Sequence, residues 1–331
     1  MTEHKTWPLR LVIPGRFGKL ITAILILILL LPLFYFGGKA YPNESTPSLF
    51  FSLVIAYIIP VFSHITTRSS EALERLRPQL DLDNKAFDVL RSRLYSSSTK
   101  MTIFDLCLGL AGGLLHISII AGSLPAALAR LVPGTAGFAS MVGALLVWIV
   151  LTKISSMLIQ QAAIFARIGR DHTRITLFGT HNLLPFGGVA ISSSLAIIGA
   201  LTLFPLIGLE GGMLMKEILP GAVAMLAPLL VMFLLPVWPV HRQLVALKAR
   251  QLAAVNARID SVTAKHCAGD STSPYLNPEF TTILTYRREI AESPTWPFDL
   301  GNVVKLAIYL VIVPLTWVAA ALMENLVDSV L

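Results

Sequence analysis

The chain is expected to be an all-α, polytopic membrane protein, and three observations carry that expectation. Seven apolar runs divide its 331 residues, at 18–36, 48–66, 101–125, 136–158, 183–206, 219–240 and 301–323. Each can cross about 30 Å of hydrocarbon at roughly 20 residues per helix. The composition agrees, with 55% hydrophobic residues, 14% charged residues and a mean hydropathy of +0.72. The third observation is charge placement. Of 26 Lys and Arg residues, 23 fall in the connections on the N-terminal side, and only Lys39, Arg130 and Lys216 fall on the other. The acidic residues split 14 to 5 and follow connection length, so the skew belongs to the basic residues. The N-terminus is therefore expected in the cytoplasm and the C-terminus outside.

The net charge of +7 reads as an orientation signal facing anionic lipid. No basic run is interleaved with aromatics, so nucleic acid is not an expected partner. The apolar part of the first run, Leu20 to Phe36, follows Lys5, Arg10, Arg16 and Lys19, the order of a signal peptide. Its length, Pro32 and the bulky sequence Tyr35-Phe36-Gly37-Gly38-Lys39-Ala40 argue against cleavage. The expected location is a cell membrane of the bacterial inner type. Cys107 in the third span and Cys267 in a cytoplasmic segment are read as inert thiols, because a reducing compartment disfavours their pairing.

Taken in order, the first span is apolar all round except Thr22 and should face lipid. The second continues at helical period past the membrane, with Leu73, Leu76 and Leu80 on one stripe until Pro78 interrupts it. Asp83 or Asn84 can cap a short helix carrying Phe87, Leu90 and Leu94, so 67–100 is expected to form a cytoplasmic helical hairpin. The third span carries Gly109 and Gly113 four apart, the fourth Ala139 and Gly143, and the fifth Gly188, Ser192, Ala196 and Ala200. Small residues at this spacing let helices approach closely, in one chain or between copies. Residues 159–182 suit either an extension of span four or an interfacial helix. Span six holds Pro228, Pro236 and Pro239 and should kink. Beyond it, Val245, Leu252 and Ile259, with Val255 and Val262, make a short coiled-coil-like seam. A loop at 266–278 and a helix at 279–291 complete a second expected cytoplasmic hairpin, 241–300. Trp296 and Phe298 suit the headgroup region.

Intramembrane ionisable groups are the default functional candidates. Asp105 and Lys305 lie at similar depth near the cytoplasmic ends of spans three and seven, where an ion pair is geometrically possible. Lys153 lies near the same end of span four. The plainer expectation is that both lysines snorkel to the headgroups and Asp105 reaches water. His116 is the only ionisable residue near mid-bilayer. It suits a proton relay or, more simply, a neutral histidine bonded to another helix. Tyr309, Thr316, Glu324 and Asp328 decorate the last span and its outer end, which would suit a cavity, an oligomer axis or a cation pore mouth.

No catalytic set is present. A His-Glu-x-x-His zinc motif and a Gly-x-Ser-x-Gly elbow are both missing. The acidic stretch Asp81 to Asp88 lacks a second acidic loop beyond Asp171, and His172 and His181 lack a thiol or carboxylate cluster, so no metal or cofactor is expected. Lys305 stands too near the start of its span to hold retinal as microbial rhodopsins do. At the level of architecture alone, the layout resembles insect-type chemoreceptor channels, with 241–262 and 279–293 as a cytoplasmic anchor and 301–323 as a pore helix. Tyr309 stands there without the matching partner that the family's last helix would supply. The expected function is therefore an oligomeric, channel-like or transport protein. The alternative is a membrane sensor or scaffold whose 241–300 hairpin recruits a cytoplasmic protein.

Overall fold

A computed structural model describes residues 5–38, 45–204, 206, 227–267 and 278–298, with Gly301, Val304, Ala307, Ile308, Val311, Ile312, Leu315, Ala319 and Leu322. Helices account for the architecture. In order they are α1 (Trp7–Arg10), α2 (Gly18–Gly37), α3 (Ser45–Leu76), α4 (Asn84–Arg93), α5 (Thr99–Ala121), α6 (Leu124–Ala129), α7 (Phe138–Asp171), α8 (Leu184–Leu201), α9 (Ala227–Leu234), α10 (Trp238–Cys267) and α11 (Pro278–Glu292). Short 3-10 turns extend α3 at Arg77–Gln79 and precede α8 at Leu177–Leu183. No strand forms among the described residues beyond two isolated bridges.

Five helices are long and apolar enough to cross a membrane: α2, α3, α5, α7 and α8 with its preceding turn. The pair α9 and α10 makes a sixth if counted as one span bent by 41°. These helices make the protein an integral, multi-pass membrane protein. The seventh predicted span is not established. Its nine described residues are helical, and Val304, Ile308, Val311, Leu315 and Leu322 form an exposed apolar stripe. Residues 219–226, the first part of predicted span six, lie outside the described residues.

Helix ends follow local chemistry. Asp83 accepts a hydrogen bond from the Ala86 amide at 2.9 Å, so the cap of α4 is Asp83. Ser98 caps α5 through the Met101 amide, and Gly122, at φ 80°, stops it. That ends predicted span three at residue 121, because the left-handed turn suits glycine and α6 then starts on a Ser123 cap. Span four has the opposite outcome. From Gly137, at φ 82°, α7 runs unbroken to Asp171, so most of 159–182 extends that helix. Pro236 lies at the break between α9 and α10, as a freed carbonyl and ring clash dictate.

Packing centres on α3 and α7. Helix α3 lies against α2, α7 and α8, and α7 also carries α5, α2 and α10. The flanking helices stay open to the surroundings: only Gly18, Thr22 and Phe34 of α2 are buried, and α5 turns Ile103, Phe104, Leu108, Leu115 and Ile119 outward. The main apolar cluster joins Phe50, Phe51, Phe62, Met157 and Phe204 between the spans. A second joins Leu73, Leu76, Phe87, Phe165, Phe186, Val240 and Ile290 at one end of the bundle.

The small-residue seams differ in use. A Cβ on Gly109 would meet the Ile149 Cα at 2.9 Å, and one on Gly113 would meet Leu145 at 2.7 Å, so these glycines let α5 lie directly on α7. Gly143 leaves room for the Phe51 ring of α3. On α8, Ala196 and Ala200 are buried, but Gly188 meets no described residue and Ser192, half-buried, bonds back to the Gly188 carbonyl at 2.7 Å. Close approach on α8 instead uses Gly187, beside Pro297 and Phe298, and Gly199, beside Tyr57. A four-residue repeat drifts around a helix of 3.6 residues per turn, so one stripe cannot face one neighbour throughout.

Gly109→Val is expected to lower the thermal unfolding midpoint in detergent through an overpacking cost of about 1–3 kcal/mol. Gly188→Ala has nothing to displace within 4 Å among the described residues and is expected to leave the midpoint unchanged. Thermal unfolding followed by intrinsic fluorescence compares the two.

Candidate functional site

The site is a belt of polar side chains between the two apolar clusters, organised by α7. Helical spacing places Lys153, Gln160 and Gln161 on adjoining faces of that helix. They reach across to residues 93–105, the turn between α4 and α5 and the first turns of α5. Lys153 is 2% exposed, and its Nζ donates to Asp105 Oδ2 at 2.9 Å, Ser97 Oγ at 2.9 Å and Thr102 Oγ1 at 3.2 Å. All three ammonium donors are used. Ser98, Thr102 and Asp105 follow one another at four and three residues, so the cap, hydroxyl and carboxylate share a face of α5.

Next to this pair, Gln161 is fully buried and bonds on both sides of its amide. Its Nε2 donates to Thr66 Oγ1 and to the Leu94 carbonyl, each at 3.0 Å, and its Oε1 accepts from Ser69 Oγ at 3.1 Å. Gln160 Nε2 donates to the carbonyls of Arg93 and Ser96 at 3.3 and 3.2 Å. Helix α3, the α4–α5 turn and α5 are thus all tied to α7.

Asp105 is paired with Lys153. It does not reach water, being 1% exposed, and Lys153 does not snorkel. The reason is geometric: glycine contacts bring α5 so close to α7 that the ammonium meets Asp105 before it meets solvent. Lys305 lies outside the described residues, as do Tyr309, Thr316, Glu324 and Asp328. Asp105 and His116 are not brought together. His116, three turns further along α5, accepts the Trp148 indole N–H at Nδ1 at 2.8 Å, with the rings edge-on at 5.9 Å. The simpler expectation, a histidine bonded to another helix, describes this contact.

Comparison of the chain with protein-family models, curated proteins and solved structures found no match.

Residues the sequence reading did not single out are Ser97, Thr102, Trp148, Gln160 and Gln161. Glutamine beside an apolar face at 161, one heptad and one residue past Lys153, was the available signal. No group of three or more His, Cys, Asp or Glu side chains suited to a metal forms among the described residues. The pair holds two opposite charges inside the bundle.

Breaking a buried pair leaves a charge without its partner, at about 3–5 kcal/mol. Lys153→Met alone is therefore expected to lower stability strongly. Adding Asp105→Leu is expected to recover most of the loss, and thermal unfolding of the single and double variants in one detergent measures it. His116→Leu orphans the Trp148 donor and is expected to cost about 1–3 kcal/mol, read in the same assay.

Proposed function

We propose that the protein is a channel-like or transport protein in which the Asp105–Lys153 pair is the ion-responsive element. The observation that carries this reading is that pair: two opposite charges, each side chain 2% exposed, held between membrane helices. Ionisable groups in such positions are rare and mark ion or substrate pathways. Two hydroxyls inside the bundle add support. Ser52 Oγ on α3 and Ser193 Oγ on α8 are buried without a hydrogen-bond partner among the described residues, and an unpartnered buried hydroxyl is a ready donor to a passing polar group. The proposed orientation places the N-terminus and the Lys- and Arg-rich end in the cytoplasm, by the positive-inside rule. The exposed stripe of Val304, Ile308, Val311, Leu315 and Leu322 supports assembly with further copies through the last segment. No catalytic step is assigned.

A scaffold reading has its own support. Helix α10 extends 30 residues and, with α11, carries an apolar seam only half covered at Leu252, Val255 and Ile259. Such an arm could hold a cytoplasmic protein.

The test is flux. Purified full-length protein in liposomes carrying a pH-sensitive or cation-sensitive dye is expected to dissipate an imposed gradient. Asp105→Asn is expected to slow it at least tenfold while the protein stays monodisperse. No flux above empty liposomes for protons, sodium or potassium would overturn the transport reading and leave the scaffold one.

A further inference from the structure

The basic end of the α2–α3 seam has a composition that the proposed function does not use. Lys19 stands at the start of α2, and its Nζ lies 3.5 Å from His64 Nδ1 on α3. Arg68 follows His64 by four residues, one turn along the same exposed face of α3. The charged groups that act on His64 are Lys19, Arg68 and Glu71. Glu71 is engaged by Arg68 at 3.4 Å, with both side chains about half exposed, so the contact is weak and screened. Lys19 has no carboxylate partner among the described residues. Because an ammonium only donates, Nδ1 of His64 is the acceptor in its bond with Lys19 and Nε2 carries the proton. The seam thus presents an ammonium, an imidazole N–H and a guanidinium within two helix turns, against one carboxylate.

The surroundings say where this cluster lies. Phe17, Leu20, Ile21 and Ile24 on α2 are exposed, as are Leu11 and Ile13 in the preceding segment. Arg16, also exposed, rests its guanidinium 5.6 Å from the Phe17 ring centroid. Apolar side chains below and cations above make a headgroup boundary. The segment is held there: the Thr6 amide bonds to the Tyr95 carbonyl at 3.0 Å, and the Ile13 amide to Thr22 Oγ1 at 3.0 Å.

We propose that Lys19, His64 and Arg68 form a binding site for the phosphate of an anionic phospholipid headgroup, with the acyl chains along the exposed flank of α2. The ligand class follows from the donors. Three N–H donors within two helix turns suit phosphate oxygens, and a cation excess favours a lipid with net negative charge over a zwitterionic one. The lipid source follows from the apolar flank, which a free anion would not use.

Native mass spectrometry of the full-length protein in detergent tests this, titrating phosphatidylglycerol and phosphatidylcholine. Phosphatidylglycerol is expected to bind in preference, and Lys19→Gln/Arg68→Gln to weaken it by about 30-fold, from roughly 1 kcal/mol per basic residue near an anionic surface. Lys19→Arg/Arg68→Lys is expected to retain binding, and so is Arg250→Gln/Arg258→Gln, which removes the same charge from α10. Equal loss in that α10 variant, or no loss in the seam variant, would overturn the site. Equal binding of the two lipids would overturn the anionic preference. Displacement of phosphatidylglycerol by millimolar inorganic phosphate, with no dependence on acyl chains, would overturn the lipid source.

Discussion

An ammonium out of reach of water must find three acceptors, and in this chain that requirement sets how α5 lies on α7. Lys153 finds them in Asp105, Thr102 and Ser97. A shift of α5 by one residue would turn Thr102 and Asp105 away by about 100°, since a helix has 3.6 residues per turn, and leave a buried charge unpaired. The glycines permit the approach, but the polar pair selects its register. Apolar packing alone tolerates many registers at similar cost; a buried ion pair does not.

The same logic extends to the end of the bundle, where described connections are pinned by hydrogen bonds to backbone carbonyls. The Asp81 amide bonds to the His172 carbonyl at 2.8 Å and the Arg174 amide to the Gln79 carbonyl at 2.9 Å, tying the end of α3 to the end of α7. Gln243 on α10 donates to the carbonyls of Gly169 and Arg170, the last turn of α7. Lys248 donates to the carbonyls of Ala291 and Ser293 at 2.7 and 2.9 Å and closes the end of α11. Two helix termini that would expose unpaired carbonyls are therefore served by side chains of one helix. His241 adds a bond to the Thr295 carbonyl at 2.9 Å and stacks on Trp296 at 3.7 Å between ring centres.

Five helices long and apolar enough to cross a membrane were legible from apolar run length, and so were a proline bend in span six and a cap at Asp83 or Asn84, because each depends on local chemistry; the fold settles these on Pro236 and Asp83. The continuation of α3 to Leu76 was legible too, through the periodic Leu73 and Leu76. Helix pairing was not. Gly109 and Gly113 announce a close contact without naming its partner, and Gly188 announces one that no described residue makes. Asp105 was matched by depth to Lys305, although Lys153 lay at a similar depth. Depth gives height in the membrane but not azimuth, and azimuth decides which charges meet. The seam on α10 shows the same limit: Leu252, Val255, Ile259 and Val262 are half-buried, but Val245, in register with them, is 43% exposed. Gln160 and Gln161 carry no motif, since a glutamine amide gains meaning only from the carbonyls that the fold sets beside it.

Helix α7 runs 34 residues from Phe138 to Asp171 with no proline inside, a length of about 50 Å at 1.5 Å per residue. A rod without a joint does not absorb a push; it tilts as one piece. One end of α7 fills the space beside Gly37 with Phe138, and the other is gripped by Gln243 at Gly169 and Arg170. The Asp105–Lys153 pair sits between those ends. A load on α10 therefore meets α7 at its last turn, and the ion pair lies near the middle of the same unbroken helix.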